Sequence, residues 1–308
     1  MRALLVVNPA ATTTSRRVTQ VITSALAGEI KLEVATTQAR GDATRLAAQA
    51  NVDGLDLVIV LGGDGTINEV VNGLLGLGPG AGVPALAVLP GGHTNVLAHA
   101  LGLPADPVEA TGAVLDALRA GRRRPIGLGR ADERWFTFCA GLGLDAEVVA
   151  RVERQRASGR PASGSRYVRA AVAEFFGTAR RRHPPLTLQP FGARPVPHVH
   201  VALITNTAPW TYLGGRSVNP SPHASFDTGI DVFALTRLRV LPTLRHVRHM
   251  ISGADTPPAG RGVLNWHDLP GLNVRAECPL PFQVDGEPAG VRTAVTITCV
   301  PAALEVLA

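Results

Sequence analysis

The chain has 308 residues, of which 45% are hydrophobic and 18% charged, with 30 Lys+Arg against 24 Asp+Glu and a formal net charge of +6. That length is enough for two hydrophobic cores, and the composition excludes a disordered or repetitive protein. A basic surface suits phosphorylated ligands or anionic membranes, whereas 4% aromatic residues supply few stacking platforms, so no nucleic acid partner is expected.

Ala3 to Val7 is an apolar run without alternation and predicts a strand buried on both faces. It ends in Asn8-Pro9, followed by Ala10, Ala11 and the hydroxyl run Thr12 to Ser15, which suits either phosphate contact or a plain helix cap. A helix over Arg16 to Ala27, a strand over Lys31 to Ala35, Thr36-Thr37, a turn at Gly41-Asp42 and a further helix follow. Leu57 to Leu61 repeats the buried-strand pattern and stops at Gly62-Gly63-Asp64-Gly65. Thr66 and Glu69 have the spacing of a capping box, which predicts a helix starting near Thr66 with Val70, Val71 and Leu74 inward. Glycines let the backbone approach a phosphate, and a helix N-terminus adds partial positive charge. A carboxylate beside phosphate implies Mg²⁺, phosphoryl transfer or both, because otherwise it repels the anion; a plain Asp-Gly turn is the alternative.

Ala85 to Leu89 forms a fourth strand and runs into Pro90-Gly91-Gly92-His93-Thr94-Asn95, then an apolar helical pattern at Val96, Leu97 and Ala100. Two strand-to-glycine-to-helix units in a β-α-β-α order predict an open, doubly wound parallel sheet, with ligands at the carboxyl edge. Residues 1–124 form this α/β domain, closed by the linker Gly121-Arg122-Arg123-Arg124-Pro125. Residues 125–300 carry short strand-like runs: Trp135 to Cys139, Val199 to Asn206, Ile230 to Leu235, Leu272 to Ala276 and Ala294 to Val300. Their Gly/Pro-rich spacing predicts an antiparallel β-sandwich and, with the first domain, an interdomain cleft for substrate. Residues 301–308 are left free to return to the first domain.

Lys31 is the single lysine, which excludes a Walker A loop. Cys139, Cys278 and Cys299 are expected as reduced core residues. No run is long enough for a signal core or a membrane span, so a cytoplasmic protein is expected. Residues 151–184 combine Arg151, Arg154, Arg156, Arg160, Arg166, Arg169 and Arg180 to Arg182 with Tyr167, Phe175 and Phe176. The centre, Ser158 to Ser165, reads as a mobile loop, and the whole reads either as a solvated basic face or as an interfacial element on anionic membrane. The glycine pattern Gly141 to Ala146 is read as packing, and the pair His246 and His249 as a surface or packing pair rather than a metal site.

The segments Asn8-Pro9, Gly62 to Glu69, Pro90-Gly91-Gly92 with Asn95, and Val284-Asp285-Gly286-Glu287-Pro288 stand in a recognisable order and spacing. Over essentially its whole length the chain resembles the diacylglycerol kinase catalytic-domain family, in particular bacterial lipid kinases related to sphingosine kinases. The resemblance implies an N-terminal fold of the NAD-kinase and phosphofructokinase type. It further implies ATP-dependent phosphorylation of a membrane-lipid hydroxyl, with diacylglycerol to phosphatidic acid as the default, at the inner membrane surface. A sphingoid base or NAD-like acceptor, or a non-catalytic nucleotide or lipid sensor, are the alternatives; a homodimer is left open.

By the same resemblance Asn8, Pro9, Ala10, Ala11, Thr12, Thr37, Gly62, Gly63, Asp64, Gly65, Thr66, Asn68 and Glu69 contact ATP. Gly91, Gly92, His93, Thr94 and Asn95 join them. Asp64 stands near Mg²⁺ and the phosphates, Glu287 is the general base and Asp285 lies beside it. The chain departs from the family's pattern at His93 and Val96. It departs again at Asp227-Thr228-Gly229, where Thr228 replaces an acid of a structural Mg²⁺ site, so retention of that metal at Asp227 is not expected.

Overall fold

The computed structural model describes residues 1–157, 185–213 and 215–308. Two compact units emerge, Met1–Leu128 with Pro301–Ala308, and Gly129–Val300.

The first unit runs β1 (Arg2–Val7), α1 (Arg16–Ala27), β2 (Lys31–Thr36), α2 (Asp42–Val52), β3 (Leu57–Gly62), α3 (Asp64–Leu74), β4 (Ala85–Pro90), α4 (Val96–Ala100) and α5 (Pro107–Arg119). β2, β1, β3 and β4 pair side by side and all parallel, and near the C-terminus Val306 adds a parallel contact to Leu86. Every residue of β3 and β4 is buried, which is why their apolar runs do not alternate. β2, at the edge, is mostly exposed and carries Lys31 and Glu33. Ser15 starts α1 by accepting from the Val18 N–H, and Ile22 and Leu26 then pack inward with Leu5, Ile59 and Leu89. Each such side chain removed from water contributes about 1.5–3 kcal/mol before entropy is counted. α5 is an element that the strand and glycine pattern did not announce. Asp106 caps it through the Val108 and Glu109 N–H groups, with Pro107 in the first turn.

The second unit is strand-rich and antiparallel. The chain enters it within β5 (Arg124–Ala131) and continues through β6 (Arg134–Phe136), β7 (Cys139–Gly143), α6 (Leu144–Ala157), β8 (Leu186–Pro190), β9 (Val196–Val199) and β10 (Val201–Thr205). β11 (Thr211–Leu213) and β12 (Arg216–Val218) form a separate ribbon. Then come β13 (Ile230–Leu235), α7 (Val240–Ile251), β14 (Val263–Leu269), β15 (Gly271–Val284) and β16 (Glu287–Val306). The hydrogen-bonded order is β14, β13, β10, β7, β15, β16. β15 pairs with β8 through Leu272–Ala276 and with β7 through Phe282–Val284. Its two halves therefore serve two groups of strands around one core of Phe136, Leu142, Leu188, Ile204, Val274 and Ile297.

Several expectations are corrected here. The run expected as one strand over Trp135 to Cys139 breaks at Thr137-Phe138, and Val199 to Asn206 breaks at His200. Leu272 to Ala276 is only part of a 14-residue strand. Pro279 and Pro281 hid its continuation, and the ladder shifts register around them because proline has no N–H to offer. Arg151 to Ala157 lie in helix α6, and residues 158–184 of the basic segment, with the loop expected over Ser158 to Ser165, lie outside the described residues. Cys139 is buried and Cys299 half-buried, but Cys278 is exposed, beside the register shift of β15. No helix among the described residues is long and apolar enough to cross a membrane.

Candidate active site

In the first unit the carboxyl ends of β1, β2, β3 and β4 lie along one edge of the sheet. The strand order reverses direction between β1 and β3, the position where open α/β sheets bind their ligands. Asn8 follows β1, Thr37 follows β2, Gly63 follows β3 and Gly91 follows β4, so the sequence-predicted nucleotide loops of the first unit are brought to this edge.

The two glycine loops are packed backbone to backbone. The Gly91 N–H donates to the Gly62 carbonyl at 2.8 Å. A Cβ on Gly91 would sit 2.8 Å from the Gly62 Cα, and one on Gly92 2.8 Å from the Gly63 Cα. Both approaches are closer than any side-chain carbon tolerates, so the pair exists only because these positions lack side chains. Thr13, not singled out from sequence, joins a third loop to them, its N–H donating to the Gly91 carbonyl and its hydroxyl to the Pro90 carbonyl.

α3 begins at Asp64, two residues earlier than the capping box predicted, and that box does not form. Its N-cap is Gly63, which has no side chain to occupy the first-turn N–H groups. The Thr66 hydroxyl instead accepts from Asn8 Nδ2 at 2.8 Å, and Glu69 Oε1 accepts from the Gly41 N–H at 2.9 Å. Asn8 Oδ1 accepts from the Ala10 N–H, so the whole Asn8 amide acts as a clamp between the β1 loop and α3. Asp64 is half-buried in the first turn, where the helix dipole favours a carboxylate. Asn68 is buried and accepts from Asn72 Nδ2. Pro9, Ala10 and Thr12 are exposed, Ala11 and Thr37 half-buried. Asn95 is buried in a left-handed conformation, and its amide both accepts from the Gly92 N–H and donates to the Gly92 carbonyl, each at 2.8 Å. It shapes the second glycine loop from behind.

In the second unit Asp285 and Gly286 form the tip of the β15–β16 hairpin, with φ of 48° and 74°. The Asp285 carboxylate is buried and accepts from four donors. The Thr137 N–H and hydroxyl reach Oδ2 at 2.8 and 3.0 Å, and the Phe138 and Cys139 N–H groups reach Oδ1 at 3.0 Å each. Asn206 completes the arrangement by donating from Nδ2 to the Thr137 carbonyl, and Gln283 Oε1 accepts from the Gly286 N–H. Asp285 is thus a bracket for the break between β6 and β7. Glu287, half-buried and directly across the hairpin from Val284, starts β16.

The family model described as the diacylglycerol kinase catalytic domain matches residues 2–131. A Mycobacterium tuberculosis protein named "Diacylglycerol kinase" is 31% identical over 269 residues, covering 82% of this chain and 80% of that one. A Chromohalobacter salexigens protein named "Probable lipid kinase YegS-like" is 30% identical over 261 residues, 83% of this chain and 78% of its own. The chain belongs to the diacylglycerol kinase catalytic-domain family. The fold agrees with a crystal structure of a diacylglycerol kinase from Bacillus anthracis at TM-score 0.71 and 19% identity, over 99% of this chain and 96% of that one.

The departures from the family pattern have plain structural places. His93 is exposed and Thr94 half-buried, whereas Val96 is buried at the start of α4. Asp227 is exposed at a turn that closes on itself, with the Thr228 hydroxyl donating to the Ser225 carbonyl. The Gly229 N–H donates to Asp268 Oδ1. Neighbouring Asp231 is occupied by His267 Nδ1 and the Asp268 N–H; burial raises its pKa, and those contacts pull the other way.

Proposed function

We propose that this protein transfers the terminal phosphoryl group of ATP to the free hydroxyl of diacylglycerol, giving phosphatidic acid and ADP, as a peripheral enzyme at the inner membrane surface. The observation that carries this reading is the back-to-back pair of glycine loops with Asp64 in the first turn of α3. Glycine backbone bare of side chains and the start of α3 suit the phosphates of ATP, and loops tied together by Asn8, Thr13 and Asn95 hold that arrangement before the ligand arrives. Among the described residues no three His, Cys, Asp or Glu side chains gather into a metal cage. A single carboxylate such as Asp64 fits Mg²⁺, which is held by one or two carboxylates together with substrate phosphates and offsets their charge. Glu287 is assigned to take the proton of the attacking hydroxyl, and Asp285 to position the hairpin that carries it.

The test is label transfer from ATP to diacylglycerol in mixed micelles. Asp64→Asn is expected to lose transfer together with Mg-ATP affinity. Glu287→Gln should keep nucleotide binding and lose roughly 10²–10⁴-fold in kcat. Transfer by the parent to another hydroxyl acceptor alone, or undiminished kcat in Glu287→Gln, would overturn the substrate or the base, respectively.

A further inference from the structure

α7 has a surface that neither the glycine loops nor the Asp285 bracket uses. On its inner side His246 and Met250 are buried, and Met250 packs with Val201, Leu203, Phe233 and Leu235 of β10 and β13. On the opposite side Leu241, Leu244 and Val247 are 80%, 58% and 42% exposed. These three stand at i, i+3 and i+6, about one turn apart, whereas Val240 and Ile251 at the two ends of the helix are half-buried and Ile251 packs with Met250. Arg245 and Arg248 run beside that row, and Arg237 and Arg239 lead into the helix, all four exposed. No acidic residue occurs between Thr236 and Ala254.

A scattered exposed leucine needs no account, but three large apolar side chains in one row beside four arginines do. We propose that α7 lies flat on an anionic lipid surface. Its apolar stripe dips into the boundary between headgroups and acyl chains, and the arginines engage lipid phosphates. The charge selects this occupant: the row is flanked on one side by cations with no compensating acid, which matches a phosphate-bearing surface. The inference deepens the lipid-kinase reading by naming how that enzyme meets its substrate's membrane, and it rests on that reading for its purpose. The element lies between β13 and β14, apart in sequence from the basic segment 151–184.

The test uses the purified full chain and sedimentation with vesicles of neutral phosphatidylcholine, with or without anionic phosphatidylglycerol. Two variants are compared, Leu241→Gln/Leu244→Gln and Arg245→Gln/Arg248→Gln, and transfer to dispersed short-chain diacylglycerol is measured in parallel. The parent should bind anionic vesicles and release them at high salt. Each arginine removed should weaken binding roughly five-fold, and the leucine pair more strongly and with little salt dependence. Both variants should keep the parent's rate on dispersed substrate. Equal vesicle binding by parent and variants, or no binding by the parent, would overturn the proposal. So would a variant that changes the oligomeric state instead, because the stripe would then be a protein contact. Absence of phosphate transfer by a parent that binds vesicles would overturn the kinase reading and leave the membrane contact standing.

Discussion

Replacing Asp285 by alanine removes the acceptor shared by four donors and strands the N–H groups of Thr137, Phe138 and Cys139 in the interior. A buried donor without an acceptor costs about 1–3 kcal/mol. The left-handed backbone at Asp285, φ 48°, adds about 1 kcal/mol of strain for alanine. Water entering the space left by the carboxylate restores part of the loss, so we expect about 4 kcal/mol, a large share of the roughly 5–15 kcal/mol that holds a domain folded. Asp285→Asn keeps the shape and tolerates the positive φ, but its NH₂ confronts N–H donors, and about 2 kcal/mol is expected. Trp135, Trp210 and Trp266 all lie within Gly129–Val300, so tryptophan fluorescence during urea unfolding reports this unit. With slopes of roughly 1–3 kcal/mol per molar urea, the alanine variant should lower the midpoint by more than about 1 M. An unchanged midpoint in Asp285→Ala would refute the bracket and return Asp285 to a direct role in the reaction.

Gly91→Ala should wedge the two glycine loops apart, since its Cβ meets the Gly62 backbone rather than a side chain that can move. A loss of about 1–3 kcal/mol in stability and a sharp fall in Mg-ATP affinity are expected from thermal shift and titration. Unaltered affinity would remove these loops from the nucleotide site. Asn8→Ala and Thr66→Val should couple in a double-mutant cycle by about 0.5–1.5 kcal/mol, whereas Thr66→Val and Glu69→Gln should add independently. Coupling of the second pair instead would restore the capping box. Burial, then Arg245 and His249, hold the His246 imidazole below its usual pKa. The unfolded chain therefore binds that proton more readily, so the contribution is complete above about pH 6.5 and is lost as pH falls through the lowered folded value. His246→Gln should flatten the change in urea midpoint between about pH 7.5 and pH 5, and a curve parallel to the parent's would contradict it. The backbone N–H groups of Gln38 and Ala39 hold Asp42 below the usual carboxylate range, so its own contribution is lost only at more acid pH.

The chain's local signals determined a good part of this protein by themselves. Runs such as Leu57 to Leu61 and Ala85 to Leu89 are apolar at every position, and only strands covered on both faces have that pattern. Each run stops at paired glycines with a helical pattern beyond, so both loops could be named from fewer than ten residues each. The partners of the functional side chains were decided by tertiary structure alone. Thr66 and Glu69 have capping-box spacing, yet they bond to Asn8 and Gly41, which lie 58 and 28 residues earlier in the chain. The four donors that hold Asp285 come from Thr137 to Cys139, up to 148 residues away. Nothing local to either segment encodes that meeting, because it is set by β7 pairing with the far half of β15. The apolar stripe of α7 was likewise invisible as an exposed face. Periodicity marks a row of apolar side chains, and only packing decides which side of the helix the sheet covers.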